Sequence, residues 1–190
     1  YAGSLDLGVA AALLLPSQGI FVVPDIGARP DVTDAPRVIG GVVVTKPIEQ
    51  WRANFSVAVE SVFIGVQATM KVMQPQGFGS IVNVSSVSSL RAGIAAGAYS
   101  AAKAAVNQFT MCAAMEAAPY NVRVNVVAPG AVMTPGLDAS TMKNKAMQDA
   151  MAGAIPMQRI GTPEEIAQAI CFLASDAASF ITGVILPVDG

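Results

Sequence analysis

Tyr99 and Lys103, in the run Tyr99-Ser-Ala-Ala-Lys103, are the residues best matched to proton chemistry. Positions i and i+4 share one face of a helix. A phenol ordinarily titrates at about 10, too high for a base at neutral pH, and a nearby ammonium favours the phenolate. Such a pair can act as a general acid or base. Alone, the spacing more often marks a surface tyrosine and a solvated lysine. The chain has no histidine. That removes Ser-His-Asp and Cys-His mechanisms and the usual zinc sets, so acid–base work falls to Tyr, Lys, Asp or Glu.

Three further patterns stand around the pair. Ser80-Ile-Val-Asn-Val-Ser-Ser86 reads as a buried strand ending in hydroxyls, and Ser86 lies 13 residues before Tyr99. In a parallel sheet, ligands bind beyond the carboxyl ends of the strands. The plainer reading of Ser86 is a hydroxyl capping a turn. Val122-Arg-Val-Asn-Val-Val-Ala-Pro-Gly130 repeats the strand pattern, with Thr134 shortly after. The tail carries Arg159-Ile-Gly-Thr-Pro-Glu-Glu-Ile-Ala, then Phe172-Leu-Ala-Ser-Asp176, Ile181-Thr-Gly183 and Pro187-Val-Asp-Gly190.

The elements that must position these residues are those of an α/β domain. The 190 residues are 53% hydrophobic, enough for one domain with a sizeable core. Strands are predicted over 20–25, 38–44, 80–85, 122–128 and 184–188, rich in valine and isoleucine as doubly buried parallel strands are. One helix is predicted from Pro47 to about Met73, and a second from near Ala98 to a point before Pro119. Thr162-Pro163-Glu164-Glu165 reads as a capping box opening a third, to about Ala174. Residues 136–157 lack a strand pattern and read as a mobile, methionine-bearing flap. The apolar runs 9–15 and 42–44 are short, which argues against a membrane span, and no secretion signal is visible. The net charge of −2, with scattered Lys and Arg, argues against nucleic acid as a partner. Cys112 and Cys171 fall in apolar helical patterns and are expected to be buried free thiols.

From about residue 48 to 190, the order and spacing of these motifs closely resemble the short-chain dehydrogenase/reductase family. The resemblance implies a Rossmann-type, doubly wound parallel sheet with helices on both faces, in one domain whose amino-terminal part is incomplete. Residues 1–46 would be a degenerate cofactor-binding part, and 47–190 the catalytic and substrate-binding part. It implies an oxidoreductase that moves a hydride between a nicotinamide cofactor and a secondary alcohol or ketone. Ser86, Tyr99 and Lys103 would be catalytic, with Tyr99 as acid/base and Lys103 also bonded to the nicotinamide ribose. Ser86, Ser88, Tyr99 and Gly130 would meet the substrate, and Pro129, Gly130, Val132 and Thr134 would cradle the nicotinamide. Leu7, Gly8, Asp25, Asp31, Val32 and Gly41 would complete the cofactor site. Asp25, as the ribose-binding carboxylate, favours NAD(H) over NADP(H). The small residues around the helix at 98–118 would pack on a partner helix in a cytoplasmic homotetramer. No metal site is implied.

The chain departs from the family in two places. Ala58 stands where the family's relay asparagine is expected, and Asn54, one turn earlier, is a weak substitute. At the amino end the glycine loop survives only as Tyr1-Ala-Gly-Ser-Leu-Asp6-Leu-Gly8. Five residues between Asp25 and Asp31 cannot carry a parallel crossover, which needs at least about 10. Two helices are missing from the spacing. Segments omitted from the sequence explain this better than a true deletion, because the carboxyl motifs show no decay. Two alternatives stand beside the enzyme: a non-catalytic scaffold of the same fold, and, more distantly, a serine hydrolase built on Ser86, which lacks a nucleophile elbow.

Overall fold

The computed structural model describes residues 19–23, 43–134 and 145–190. Within them, four strands form one parallel sheet in the order β1 (Ile20–Val23), β2 (Gly79–Val84), β3 (Val122–Pro129) and β4 (Ile185–Val188). Successive strand residues point to opposite faces. Ile81, Val122 and Val124 meet Val62, Val66, Val106 and Ala114 on one side. Val82 and Val127 meet Ile166, Ile170 and Leu173 on the other. Both faces are covered, which is why these strands read as nearly unbroken apolar runs. The expected doubly wound α/β architecture is present.

The helix predicted from Pro47 is longer and less regular than its sequence suggests. Pro47 is the N-cap rather than the first helical residue. The helix runs as α1 (Ile48–Phe55), a widened π turn over Ser56–Glu60, and α2 (Ser61–Gln76). It passes Met73 and ends where Gly77 takes the left-handed conformation at φ 78° and returns its N–H to Met73 O. Pro75 lies in the last turn, where its missing N–H costs a single bond. By length and composition, Ile48–Gln76 could cross a membrane. Its unbroken apolar runs are nevertheless short, the longest being Val62-Phe-Ile-Gly-Val66. Its inner side chains Val62, Val66 and Met73 belong to the core against the sheet.

α3 (Gly97–Ala117) begins where predicted and passes into a 3-10 turn, Ala118–Tyr120, at Pro119. α4 (Lys145–Gly153) occupies part of the stretch expected to be a flap, and Lys145 pairs with Asp149 along it. α5 (Pro163–Ala174) starts with the predicted capping box: Thr162 N–H donates to Glu165 Oε2 at 2.8 Å. Arg123 on β3 closes its other end, donating to the carbonyls of Leu173, Ala174 and Ser175. Burial lowers the pKa of that guanidinium, and Asp176 opposes the shift.

Two further expectations are corrected. Of the strand predicted over 38–44, residues 38–42 lie outside the described residues, and Val43–Thr45 forms a 3-10 turn. Cys112 and Cys171 are exposed, because each sits on the outer side of its otherwise apolar helix.

Candidate active site

The site is assembled where β2 and β3 end. These strands run in parallel register, Val84 beside Val127, and Ser85 N–H extends the ladder to Val127 O at 2.8 Å. Ser86 is therefore carried to the same edge as Pro129 and Gly130. Its backbone is extended, and its Oγ accepts from Ser88 N–H at 3.2 Å as the cap of the 3-10 turn Val87–Ser89. The plainer reading of Ser86 as a turn cap is thus correct, and it is compatible with a role in chemistry. A hydroxyl that accepts from an amide is polarised to donate its own proton to a carbonyl oxygen. Ser88 contributes its amide to this turn.

Tyr99 and Lys103 stand on the first turns of α3, on one face, with Lys103 Nζ 5.8 Å from the centre of the Tyr99 ring. Tyr99 is half-buried. Lys103 is only 1% exposed, so the solvated lysine of the plainer reading is ruled out. Its Nζ donates to Val84 O at 3.2 Å, and Ser85 Oγ donates to Lys103 O at 3.1 Å. These two bonds fix the start of α3 against the end of β2. A lysine is almost never fully buried without a compensating partner or task.

The loop after β3 is pinned from two sides. Gly161 N–H donates to Ala131 O, Met133 N–H donates to Gly161 O, and Val132 bridges Gly161. Gly130 N–H donates to Val188 O at 3.0 Å, and a Cβ there would lie 2.8 Å from Asp189 Cα. Glycine at 130 is thus required by the close approach of β4. Asp189 in turn pairs with Arg91, beyond the Ser86 turn, at 3.0 Å. A hollow of about 130 Å³ beside this loop is lined by Ala131, Met157, Arg159, Gly161, Glu165 and Asp189, among others. None of Ser86, Tyr99 or Lys103 lines it. It is smaller than the few hundred Å³ of a usual ligand site. Ser86 and Lys103 instead lie at the end of β2, Ser86 in the turn that follows it and Lys103 bonded to Val84 O.

Of the predicted residues, Ser86, Ser88, Tyr99, Lys103, Pro129, Gly130, Val132 and Thr134 belong to the strand ends, the following loops and the first turns of α3. Leu7, Gly8, Asp25, Asp31, Val32 and Gly41 lie outside the described residues. Ala58 is buried inside the π turn. Asn54 donates Nδ2 to Gln50 O at 2.8 Å, along its own helix. Sequence reasoning missed Ser85, Ser89, Arg91, Asn107 and Asp189. A signal existed for Asn107, an amide one turn beyond Lys103 in an otherwise apolar stripe.

A doubly covered parallel sheet with a Tyr–Lys pair and a hydroxyl at its carboxyl edge defines a Rossmann-type domain equipped for acid–base chemistry. The family model described as enoyl-(acyl carrier protein) reductase matches residues 28–190. Cyclopentanol dehydrogenase of Comamonas testosteroni is 39% identical over 173 residues, 88% of this chain and 69% of that protein. Acetoacetyl-CoA reductase of Allochromatium vinosum is 41% identical over 148 residues, 76% of this chain and 58% of that protein. Among solved structures, gluconate 5-dehydrogenase from Burkholderia cenocepacia, in complex with NADP and tartrate, superposes with a TM-score of 0.76 at 32% identity. That match covers 80% of this chain and 59% of the other. The chain belongs to the short-chain dehydrogenase/reductase family. It spans between 58% and 69% of the length of these two curated relatives.

Proposed function

We propose that this chain is the catalytic part of an NAD(P)-dependent oxidoreductase that interconverts a small secondary alcohol and its ketone. The observation that carries the proposal is the buried Lys103 ammonium beside the half-buried Tyr99 ring, one strand end away from Ser86. The residues present fit a nicotinamide nucleotide. Tyr99, Lys103, Pro129, Gly130, Val132 and Thr134 would hold it, and Lys103 offers a fixed cationic donor at that edge. A nicotinamide bound there supplies the hydride acceptor or donor, chemistry that no side chain provides.

The chain's own residues do the rest. In the oxidative direction, Tyr99 takes the hydroxyl proton as the carbon loses hydride. In the reductive direction, it returns that proton to the new alkoxide. Lys103 stabilises the phenolate through charge. Ser86 donates to the substrate oxygen and sets its distance from Tyr99. The burial of Lys103 also counts against the scaffold alternative, since a scaffold gains nothing from a desolvated ammonium.

The test is Tyr99→Phe, assayed over a panel of secondary alcohols with NAD+ and NADP+. Turnover is expected to fall by about 10²–10⁴-fold, the usual contribution of a general acid or base. Protection of the fold by cofactor should fall far less than turnover, because Lys103 and the loop after β3 would still hold the nucleotide. Full activity in the variant would overturn the assignment.

Two finer statements extend the proposal. In the family's pattern Asp25 would be the ribose-binding carboxylate and would favour NAD(H), because a carboxylate there repels a 2′-phosphate. The ratio of kcat/KM for the two cofactors tests this. The outer faces of α2 and α3 expose Phe63, Ile64, Val72 and Met115. Exposed apolar side chains on these helices suit contact with a second copy of the chain, in line with a homo-oligomer.

A further inference from the structure

We propose that Asn107 is a positioning residue for Ser86, acting through Ser89; this rests on the function proposed above. Tyr99, Lys103 and Asn107 follow one another at i, i+4 and i+8 on α3, so one face carries a phenol, an ammonium and an amide. Asn107 is 4% exposed. Its Nδ2 donates to Ser89 Oγ at 2.7 Å, and Ser89 Oγ donates to Ser86 O. Ser89 N–H reaches the same carbonyl at 2.9 Å. The Ser86 carbonyl is thus held twice by Ser89, and Ser86 Oγ is held by the Ser88 amide. The direction of the chain is fixed by chemistry. The single hydroxyl proton of Ser89 goes to Ser86 O, so its lone pair accepts from the amide.

With Lys103 Nζ on Val84 O and Ser85 Oγ on Lys103 O, this contact completes three bonds between α3 and residues 84–89. The other two fix the helix to the strand. The Asn107 contact fixes the turn that comes next, where Ser86 must face the substrate. Asn107 is poorly chosen for stability alone. Its Oδ1 is buried and meets no hydrogen-bond donor of the protein. A leucine has the same branching without the polar atoms, although its methyl groups need more room. Retaining an amide here makes sense if the Ser89 contact serves the geometry of Ser86.

The test is Asn107→Leu in the full chain, with Ser89→Ala as a second variant that leaves the helix untouched. Both should keep cofactor KM and lower kcat by about tenfold, the scale on which a small misplacement of a reacting group is felt. In hydrogen exchange, the peptide over 86–91 should lose protection in both variants, while that over β3 stays unchanged. Unaltered kcat and exchange would overturn the proposal, as would a loss of protection spread evenly over the core. If Asn107→Leu does not fold, Ser89→Ala decides by the same readouts. If the parent turns over no alcohol or ketone, the proposed function fails, and the exchange comparison still judges Asn107.

Discussion

Lys103 is the side chain whose surroundings say most about function. Burying an ammonium is costly, and the Val84 carbonyl returns part of that cost. Groups retained for chemistry at the expense of stability are commonly relieved by an apolar replacement. Lys103→Met should therefore melt at or above the parent temperature in calorimetry while losing at least about 10²-fold in turnover. A large drop in melting temperature with preserved turnover would make the lysine structural. The shared helix face of Tyr99 and Lys103 was legible in their spacing, and the strand end at Ser86 in the apolar run before it. The burial of Lys103 was not, because spacing places a side chain on a helix face without saying what covers that face. The same limit hid Asn107 and the Arg91–Asp189 pair, 98 residues apart in sequence.

Among the elements, α5 gives the clearest dependence on pH. The Arg159 guanidinium, together with the Thr162 N–H, holds the Glu165 carboxyl down to about 2 from 4.5. The sign is set by that depression. The carboxylate's contribution is fully present above 4.5 and is lost as the pH falls through 2. Melting temperature should decline over that window in the parent. Glu165→Gln should flatten this part of the profile, and an unchanged slope would remove Glu165 from the account. The capping box was readable because its four residues are contiguous and each has a local task. The 3-10 turn at Val43–Thr45 and helix α4 were not. Short apolar runs fit strand and turn alike, and α4 spans only 9 residues, too few for its periodicity to stand out in a polar, methionine-bearing stretch.

At the scale of the whole molecule, the parallel order of the strands and the two-sided core were legible, because doubly buried strands have a distinctive composition. The outer apolar surface was only partly so. Ile64 is 61% exposed, beside Phe63, which packs edge-on against Phe109 of α3 at 5.7 Å. If this face joins copies of the chain, Ile64→Glu should shift the mass measured by light scattering toward the single chain and leave circular dichroism intact. An unchanged mass would move the interface elsewhere.

The π turn at Ser56–Glu60 has a consequence for how this helix tolerates change. A wide turn holds one residue more than an ordinary one, and each added residue rotates the remainder of the helix by about 100°. Deleting a residue between 56 and 60 lets the wide turn close to a regular one with the flanking faces still in phase. The same deletion inside Ser61–Gln76 swings Val62 or Met73 away from the sheet. Length variation in this helix therefore has one permissive place, and it coincides with the position of Ala58.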